Sequence, residues 1–170
     1  MRKLENKIRP FEEVCKVCKK LQKQGNKTVF VHGFFDILHK GHVTLLIEAK
    51  KLGDILIVGV DHDYNAKRIK GPNRPINDHD SRMFIISNIQ QVNFVFLIPP
   101  YKELKTKSKF FVEEIYDKLR PDIVATSINA GKHGYLKKQA AEHIGAKFVD
   151  IDHTFSDINT TKILEKIINL

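Results

Sequence analysis

The sequence predicts an α/β domain with a parallel sheet, because short apolar runs alternate with amphipathic stretches along the chain. Residues 55–60 form a continuous apolar run, which is typical of a strand that is buried on both faces of such a sheet. Hydrophobic residues make up 42% of the 170-residue chain, which is enough for one domain with a substantial core. We therefore expect strands and helices that are joined by right-handed crossovers.

The first part of the chain predicts a helix, a strand and a second helix, in that order. Residues 10–24 carry apolar side chains at helical spacing, and Gly25 ends this helix. Residues 28–32 are rich in β-branched side chains, which favours a strand. Residues 40–52 place leucine and alanine side chains on one face and stop before Gly53. This pattern indicates a helix that packs against the sheet.

The rest of the chain continues the alternation. Residues 61–76 are polar and basic and contain a glycine and two prolines, so they are predicted to form a loop. Asn77 is a suitable N-cap for the next helix. The further predicted elements are a helix at 78–90, a strand at 92–98, a helix at 102–119, a strand at 121–126, a loop at 131–134, a helix at 135–144, a strand at 146–151 and a last helix with an apolar face of Ile163, Leu164, Ile167 and Ile168. Together they predict a Rossmann-like three-layer α/β fold with a five-stranded parallel sheet.

Length and composition favour a single cytoplasmic domain over residues 1–170, with a leading helix in 1–26 and the core in 27–170. No apolar run approaches the roughly 20 residues that a membrane helix needs. The basic N-terminus is not followed by the apolar core of a secretory signal. Cys15 and Cys18 are the only cysteines, and they fall in a helical stretch with no second ligand pair. This favours reduced, half-buried thiols over a metal or redox site.

The chain is basic: it has 29 Lys and Arg against 20 Asp and Glu, a formal net charge of +9. Nucleic-acid binding would favour a cluster of these charges with interleaved aromatic side chains. Here they are scattered and tryptophan is absent. A basic funnel for anionic small molecules fits the charge as well, so the charge alone does not decide between the two.

A candidate phosphate site follows the first predicted strand. His39 and His42 are three residues apart, with Gly41 between them, at the start of a predicted helix. The amide groups and the dipole of a helix start attract phosphate, and two histidines at this spacing add donors on one face of the first turn. Gly41 leaves the helix start bare, so that a phosphate can approach the backbone closely. We interpret this stretch as a triphosphate-binding site.

Two motifs carry a family resemblance. Residues 32–42 (H-G-F-F-D-I-L-H-K-G-H) resemble the H-x-G-H nucleotidyltransferases of the cytidylyltransferase-like superfamily. Residues 158–163 (I-N-T-T-K-I) are similar to the second signature of that family, S-T-T-K/N-I, with Asn159 in place of serine. Residues 70–77 and 81–83 look like the adenylyltransferase domain of the bifunctional heptose kinase/adenylyltransferase. Residues 160–163 of the second motif (T-T-K-I) look more like glycerol-3-phosphate cytidylyltransferase.

The resemblance implies an enzyme that joins a nucleoside monophosphate from an NTP to a phosphorylated small molecule and releases pyrophosphate. The NTP would be ATP with a heptose 1-phosphate acceptor, or CTP with glycerol 3-phosphate or a similar alditol phosphate. Mg²⁺ would enter with the NTP, with no metal ligand from the protein. By resemblance, the default oligomeric state is a homodimer.

The expected site residues lie where ligands bind in such folds, beyond the carboxyl ends of the strands. The catalytic candidates are His39, His42, Lys70, Arg82 and Lys162. The nucleotide-binding candidates are Gly33, Phe34, Phe35, Asp36, Gly41, Arg74, Thr126, Asn159, Thr160 and Thr161. The substrate-binding candidates are Asp61, Asp63 and Lys67.

Several of these residues have a second interpretation. Arg82 faces the phosphates by resemblance, but it could form a surface ion pair with Asp78. Residues 67–74 could be a mobile cover over the phosphates or a solvated surface loop. Asp36 could brace its own loop, and Asn159 could be an ordinary N-cap.

The loop after the fourth strand departs from the family pattern. The heptose enzymes usually carry a lysine-glycine-glycine-aspartate loop there, whereas residues 126–133 read T-S-I-N-A-G-K-H. Three alternatives to an enzyme of this class therefore stay open: a nucleotide-binding protein without catalysis, a nucleic-acid binder, and a fragment of a class I aminoacyl-tRNA synthetase. The last ranks lowest, because the chain is short for a tRNA-reading domain.

Overall fold

The computed structural model describes residues 7–103, 113–127, 131–152 and 158–170, with the backbone alone for 131–133. Its helices are α1 (Phe11–Lys23), α2 (Lys40–Lys50), α3 (Asp63–Lys70), α4 (His79–Ser87), α5 (Glu113–Leu119), α6 (Gly131–His143) and α7 (Thr160–Ile168). Its strands are β1 (Thr28–Gly33), β2 (Ile55–Asp61), β3 (Phe94–Ile98), β4 (Ile123–Ser127) and β5 (Lys147–Ile151). A 3-10 turn, Tyr101–Glu103, follows β3.

The five strands form one parallel sheet in the order β3-β2-β1-β4-β5. Strands β2 and β3 therefore extend the sheet on one side of β1, and β4 and β5 extend it on the other side. This reversal of the strand order beside β1 is the topological switch point at which ligands bind in open α/β sheets. The pairing of β1 with β2 extends to Gly33 and Val60, whereas the registered pairs of β1 with β4 are Val29–Ile123 and Phe30–Val124. The ends of β1 and β4 are thus unpaired with each other at the switch point.

Alternate side chains of the sheet enter two apolar clusters, one on each face. Val29 and Val31 of β1 pack with Leu46 of α2 and Ile86 of α4 on one face. Phe30 packs on the other face, among residues of α1, α5 and α6. The sheet thus lies between two helical layers, which confirms the predicted three-layer fold with a five-stranded parallel sheet.

The two cysteines contribute to the core and not to a site. Cys15 and Cys18 are free thiols that are buried in the cluster beneath α1. Burial raises the pKa of each thiol to about 11. Both therefore stay protonated and unreactive at neutral pH, as expected for structural cysteines.

In the first half of the chain one predicted segment was wrong, and one predicted helix is present with different bounds. Residues 61–76 contain the helix α3, because the His62 side chain accepts a hydrogen bond from the backbone N–H of Tyr64 and caps its start. The next helix begins after Asp78 and not after Asn77. The carboxylate of Asp78 accepts a hydrogen bond of 2.7 Å from the N–H of Ser81. The helix α4 ends at Ser87, three residues before the predicted end at 90.

The second half also differs in places. Helix α6 begins at Gly131, so the predicted loop at 131–134 is the first turn of a helix. The predicted helix at 102–119 becomes the 3-10 turn and α5, and residues 104–112 lie outside the described residues. The apolar face predicted for the last helix packs little: no residue of α7 is buried, and Ile168 is 81% exposed.

Gly59 of β2 lies where a Cβ would be crowded by the side chains of Ile98 and His32. Gly59 is the register partner of His32, and a Cβ at this position would lie 2.9 Å from Cδ1 of Ile98 and 3.2 Å from Cβ of His32. We expect Gly59→Ala to lower the free energy of unfolding by about 1–3 kcal/mol through overpacking, as measured by urea denaturation. Gly33→Ala is the matched control, because its nearest contact would be an ordinary 3.7 Å to Phe35. Equal stability of the two variants would contradict this account.

Candidate active site

A cleft of about 830 Å³ opens at the carboxyl end of β1, beside the switch point. Its walls come from segments that are distant in sequence. The lining residues are Phe34, Phe35, Asp36, His39, Gly41, His42, Leu45, Lys70, Arg74, Ser127, Ile158, Asn159, Thr160, Thr161, Lys162 and Glu165. Most of the lining residues either follow β1 or belong to the start of α7. Both family motifs therefore contribute to the same cleft.

The first motif shapes the start of α2. His39 is the N-cap residue in an extended conformation, and its carbonyl accepts the first helical hydrogen bond, from the N–H of Val43. The His39 and His42 rings are stacked with centroids 3.8 Å apart. A Cβ on Gly41 would lie 3.0 Å from the His39 ring, so the glycine lets that ring fold over the helix start. The side chain of His39 does not cap the helix, and the first turn has no acidic residue. The partial positive charge of the helix start is therefore not offset by these residues, and it faces the cleft.

The turn between β1 and α2 is fixed by Asp36. Its buried carboxylate accepts hydrogen bonds from the backbone N–H groups of Ile76 and Asn77, each 3.0 Å, and from Nε of Arg74 at 3.1 Å. Phe35, on one side of it, adopts a left-handed backbone with φ of 51°. The carboxylate of Asp36 therefore braces the loop, as the second interpretation of this residue expected. Asp36 also lines the cleft, so the prediction that it binds nucleotide stays a prediction.

The second motif meets the first through a single hydrogen bond. The hydroxyl of Thr160 donates to the backbone carbonyl of Asp36 at 2.8 Å, across 124 residues of sequence. The side-chain carbonyl of Asn159 accepts from the N–H of Lys162 at 2.9 Å, so Asn159 is the N-cap of α7. Both contacts orient the start of α7 toward the cleft, where Thr161 and Lys162 also line the wall.

Two of the predicted cations of the basic segment line the cleft and a third does not. Lys70 ends α3, and its Nζ lies 6.0 Å from the ring centroid of Phe34. Arg74 joins it in the wall and is held in place by Asp36. Lys67 is exposed on α3, away from the lining of the cleft, so the prediction that it binds substrate has no support in this geometry.

Arg82 is engaged within the protein and is absent from the lining of the cleft, so the prediction that it faces the phosphates stays a prediction. Its guanidinium is completely buried and donates hydrogen bonds to the backbone carbonyls of Phe34, Asn77 and Asp61, at 3.0 Å for Asn77 and 2.7 Å for Asp61. It also forms an ion pair of 2.6 Å with Asp63. These partners hold together the ends of β1 and β2 and the segment before α4.

Asp61 and Asp63 also serve the fold and not the cleft. The hydroxyl of Tyr101 donates to the buried carboxylate of Asp61 at 2.9 Å. Asp63 accepts hydrogen bonds from Arg82 and from His79. Burial on its own raises the pKa of each carboxyl. For Asp61, the nearby His32 ring and the hydrogen bond from Tyr101 outweigh this effect, and for Asp63 the hydrogen bonds from His79 and Arg82 do so. Both pKa values therefore lie below the ordinary one. Both carboxylates are therefore ionised and engaged within the protein.

Some residues at the cleft escaped prediction, and some predicted ones stand just behind it. Thr126 is buried, while its neighbour Ser127 lines the wall. Gly33 ends β1 immediately before Phe34 enters the cleft. Glu165 also lines the wall. Its place one turn after Thr161 on α7 could have indicated this, because residues four apart share a helix face.

Part of the altered loop after β4, residues 128–130, falls outside the described residues. Among the residues that the structure does describe, no three His, Cys, Asp or Glu side chains are grouped so that they could hold a metal ion. No helix in the described ranges has both the length and the apolar character that a bilayer span requires.

A parallel sheet with a switch point, an open helix start that carries two histidines, and a basic cleft with a second helix start in its wall are the features expected of a nucleotidyltransferase. The chain belongs to the cytidylyltransferase-like family, whose family model matches residues 30–165.

Individual relatives agree with this assignment. The chain is 44% identical over 166 residues to "Bifunctional protein HldE" of a Nitratiruptor species, in a match that covers 96% of this chain and 32% of that protein. It therefore spans about a third of the length of the curated relatives it matches, at 31% and 32% for two of them.

Solved structures share the fold. The lipopolysaccharide core biosynthesis protein from Thermoplasma volcanium GSS1 is 30% identical with a TM-score of 0.60, over 75% of this chain and 98% of its own. A pantoate-beta-alanine ligase from Francisella tularensis, in a complex with beta-gamma ATP and beta-alanine, has a TM-score of 0.66 at 18% identity. That match covers 96% of this chain and 78% of the ligase, and at this identity it shows the fold alone.

Proposed function

We propose that the protein transfers the adenylyl group of ATP to a sugar phosphate such as heptose 1-phosphate and releases pyrophosphate. The hydrogen bond from Thr160 to the Asp36 carbonyl carries this proposal, because it joins the two motifs of a nucleotidyltransferase at one cleft. The relatives named HldE and the lipopolysaccharide core biosynthesis protein support an acceptor of the sugar phosphate class. The sequence T-T-K-I at the start of α7 favours the alternative, CTP with glycerol 3-phosphate or a similar alditol phosphate.

In the proposed reaction, a phosphate oxygen of the acceptor attacks the α-phosphorus in line and pyrophosphate leaves. The attacking oxygen is already ionised, so no general base is required. The protein acts by positioning and by charge stabilisation. His39 and His42 donate hydrogen bonds to phosphate oxygens as charge builds toward the leaving group. Lys70, Arg74 and Lys162 offset the charge of the polyphosphate.

Mg²⁺ fits this cleft as a companion of the NTP and not as a resident metal. Among the described residues that line the cleft, the two carboxylates are Asp36, which three donors occupy, and Glu165. The ion would therefore be held mainly by phosphate oxygens and water, as is usual for Mg²⁺ in such enzymes. It would supply charge neutralisation of the phosphates. A homodimer belongs to the same proposal, and light scattering on the purified protein would test it.

The nucleotide is tested by a thermal-shift panel of ATP, CTP, GTP and UTP, each with Mg²⁺, together with pyrophosphate release in the presence of the two acceptor types. A ligand at about 100 times its Kd stabilises the native state by ~2.7 kcal/mol, which raises the Tm by about 5–10 °C for a chain of this size. We expect ATP to give this shift, with tripolyphosphate as the control for charge alone. A shift with CTP and turnover with glycerol 3-phosphate would select the alternative. No shift with any NTP would contradict both.

A further inference from the structure

A buried lysine occupies the gap between the ends of β1 and β4. Lys137 comes from α6, and its Nζ donates to the backbone carbonyl of His32 at 2.8 Å and to the hydroxyl of Thr126 at 3.3 Å. His32 lies in β1 and Thr126 in β4, each beyond the last registered pair of the two strands. The ammonium therefore joins two strand ends at the point where the backbone pairing has stopped.

The charge of Lys137 has a fixed set of neighbours. In the described structure Asp61 of β2 is the charged group that acts on it, and the carbonyl that it contacts belongs to the titratable His32 of β1. Two further titratable groups contact these residues and not Lys137 itself: the hydroxyl of Tyr101 donates to Asp61, and the hydroxyl of Tyr116 lies 3.1 Å from Nε2 of His32. Asp61 is the buried opposite charge, with its carboxylate 3.9 Å from Nδ1 of His32. Burial lowers the pKa of Lys137 to about 8, and the charge of Asp61 opposes this in part. Lys137 is thus an ammonium at neutral pH that loses its proton in a measurable range.

We propose that Lys137 is a positioning residue of the nucleotide cleft, which sets the spacing between the turns that leave β1 and β4. The proposal rests on the proposed function, because it concerns the same cleft. Phe34 and Ser127 both line that cleft, and they stand two residues after His32 and one after Thr126. A change in the distance between the two strand ends would therefore move Phe34 and Ser127, and with them two walls of the cleft. Shifts of about 1 Å in such groups can cost about 100-fold in rate.

The direct test replaces Lys137 with methionine, which has a similar length but cannot donate. We expect Lys137→Met to lower kcat/KM for pyrophosphate release about 10- to 100-fold. Lys138→Met is the matched control, because Lys138 is the next residue of α6 and its side chain is exposed. Lys137→Arg, which keeps a charged donor, should restore part of the loss. A wild-type value of kcat/KM for Lys137→Met would overturn the proposal.

The pH profile separates positioning from a purely structural role. The pKa of Lys137 is lower in the folded state, about 8, than its ordinary value of 10.5, so the unfolded state binds more protons between these values. This group therefore makes the protein more stable as pH rises from 8 to 10.5. The positioning role predicts the opposite for activity: kcat/KM falls as pH rises through about 8, because charge-assisted hydrogen bonds are the stronger ones. Lys137→Arg should lack this fall, and a fall that it shares with wild type would refute the role.

A measurement without turnover keeps the two proposals distinguishable. Hydrogen exchange of the backbone amides of residues 33–36 should be faster in Lys137→Met than in Lys138→Met, with both variants folded. If the wild-type protein releases pyrophosphate but the exchange rates and kcat/KM are equal, Lys137 has no positioning role. If wild type releases no pyrophosphate and the exchange still differs, the proposed function fails while the role of Lys137 in holding the strand ends stands.

Discussion

Replacing His42 with alanine is expected to lower kcat for pyrophosphate release about 100- to 1000-fold, the usual cost of losing one positioned donor to developing charge. The His42 ring lines the cleft at the first turn of α2, stacked on His39 and edge-on to Phe35 with centroids 5.4 Å apart. Two ring contacts hold it in one orientation before the substrate binds. Because the donor acts mainly as charge builds in the transition state, kcat should fall far more than KM rises.

The control for His42→Ala is His143→Ala. His143 is a histidine at the end of α6 whose side chain is 61% exposed, and it takes no part in the cleft. Steady-state kinetics of the two variants, with urea denaturation to show that each is folded, separates chemistry from stability. The assignment of His42 to the reaction is wrong if His42→Ala turns over at the wild-type rate. A rise in KM alone would restrict it to ground-state binding.

Local features of the cleft could be predicted from the sequence, because short-range geometry determines them. The spacing of His39, Gly41 and His42 is enough to place two rings and a bare turn at a helix start after a strand. That Thr160 would lie near the first motif follows from topology, since loops at the carboxyl ends of parallel strands share one edge of the sheet. The partner of Thr160, the carbonyl of Asp36, could not be predicted, because any exposed carbonyl on that edge would satisfy a hydroxyl.

The charged residues behind the cleft could not be predicted for a different reason. A sequence shows that Arg82, Asp61 and Lys137 carry charges, but not whether each charge meets a ligand or another buried group. Here three backbone carbonyls and Asp63 accept from Nε, Nη1 and Nη2 of Arg82, and Lys137 faces two strand ends. Both pairings depend on which strands are neighbours, and the order of strands is a property of the whole fold.

Helix α3 escaped prediction because it has almost no apolar periodicity. Only Asn65 and Ala66 of its eight residues are buried. The amide of Asn65 donates to the carbonyl of Pro99 and its oxygen accepts from the N–H of Tyr101, so polar contacts hold the helix instead of an apolar stripe. A pattern of hydrophobic spacing cannot detect such a helix. The consequence for the site is that Lys70 is fixed at a helix end, where a loop had been predicted.

Arg82→Met is expected to reduce the free energy of unfolding by about 3–5 kcal/mol, a large share of the stability of an ordinary domain. The substitution leaves Asp63 without its buried partner and removes the donors to three backbone carbonyls. Unsatisfied buried acceptors are among the few causes of losses this large. Asp63 keeps its contact with His79, so the carbonyls account for most of the expected loss. The urea midpoint of the purified variant, with an unchanged m-value, measures the effect.

The outcome decides between a brace and a phosphate ligand at position 82. Arg68→Met is the matched control, because Arg68 is exposed on α3, and it should stay within about 0.5 kcal/mol of wild type. A brace predicts that Arg82→Met loses stability with or without nucleotide, and that Asp63→Asn loses less, since three of the contacts of Arg82 are to carbonyls. A phosphate ligand predicts wild-type stability in the absence of nucleotide and a weaker thermal shift with ATP. Wild-type stability together with a weaker thermal shift would assign Arg82 to phosphate binding. The contacts between Arg82 and Asp63 would then have to break when the nucleotide binds.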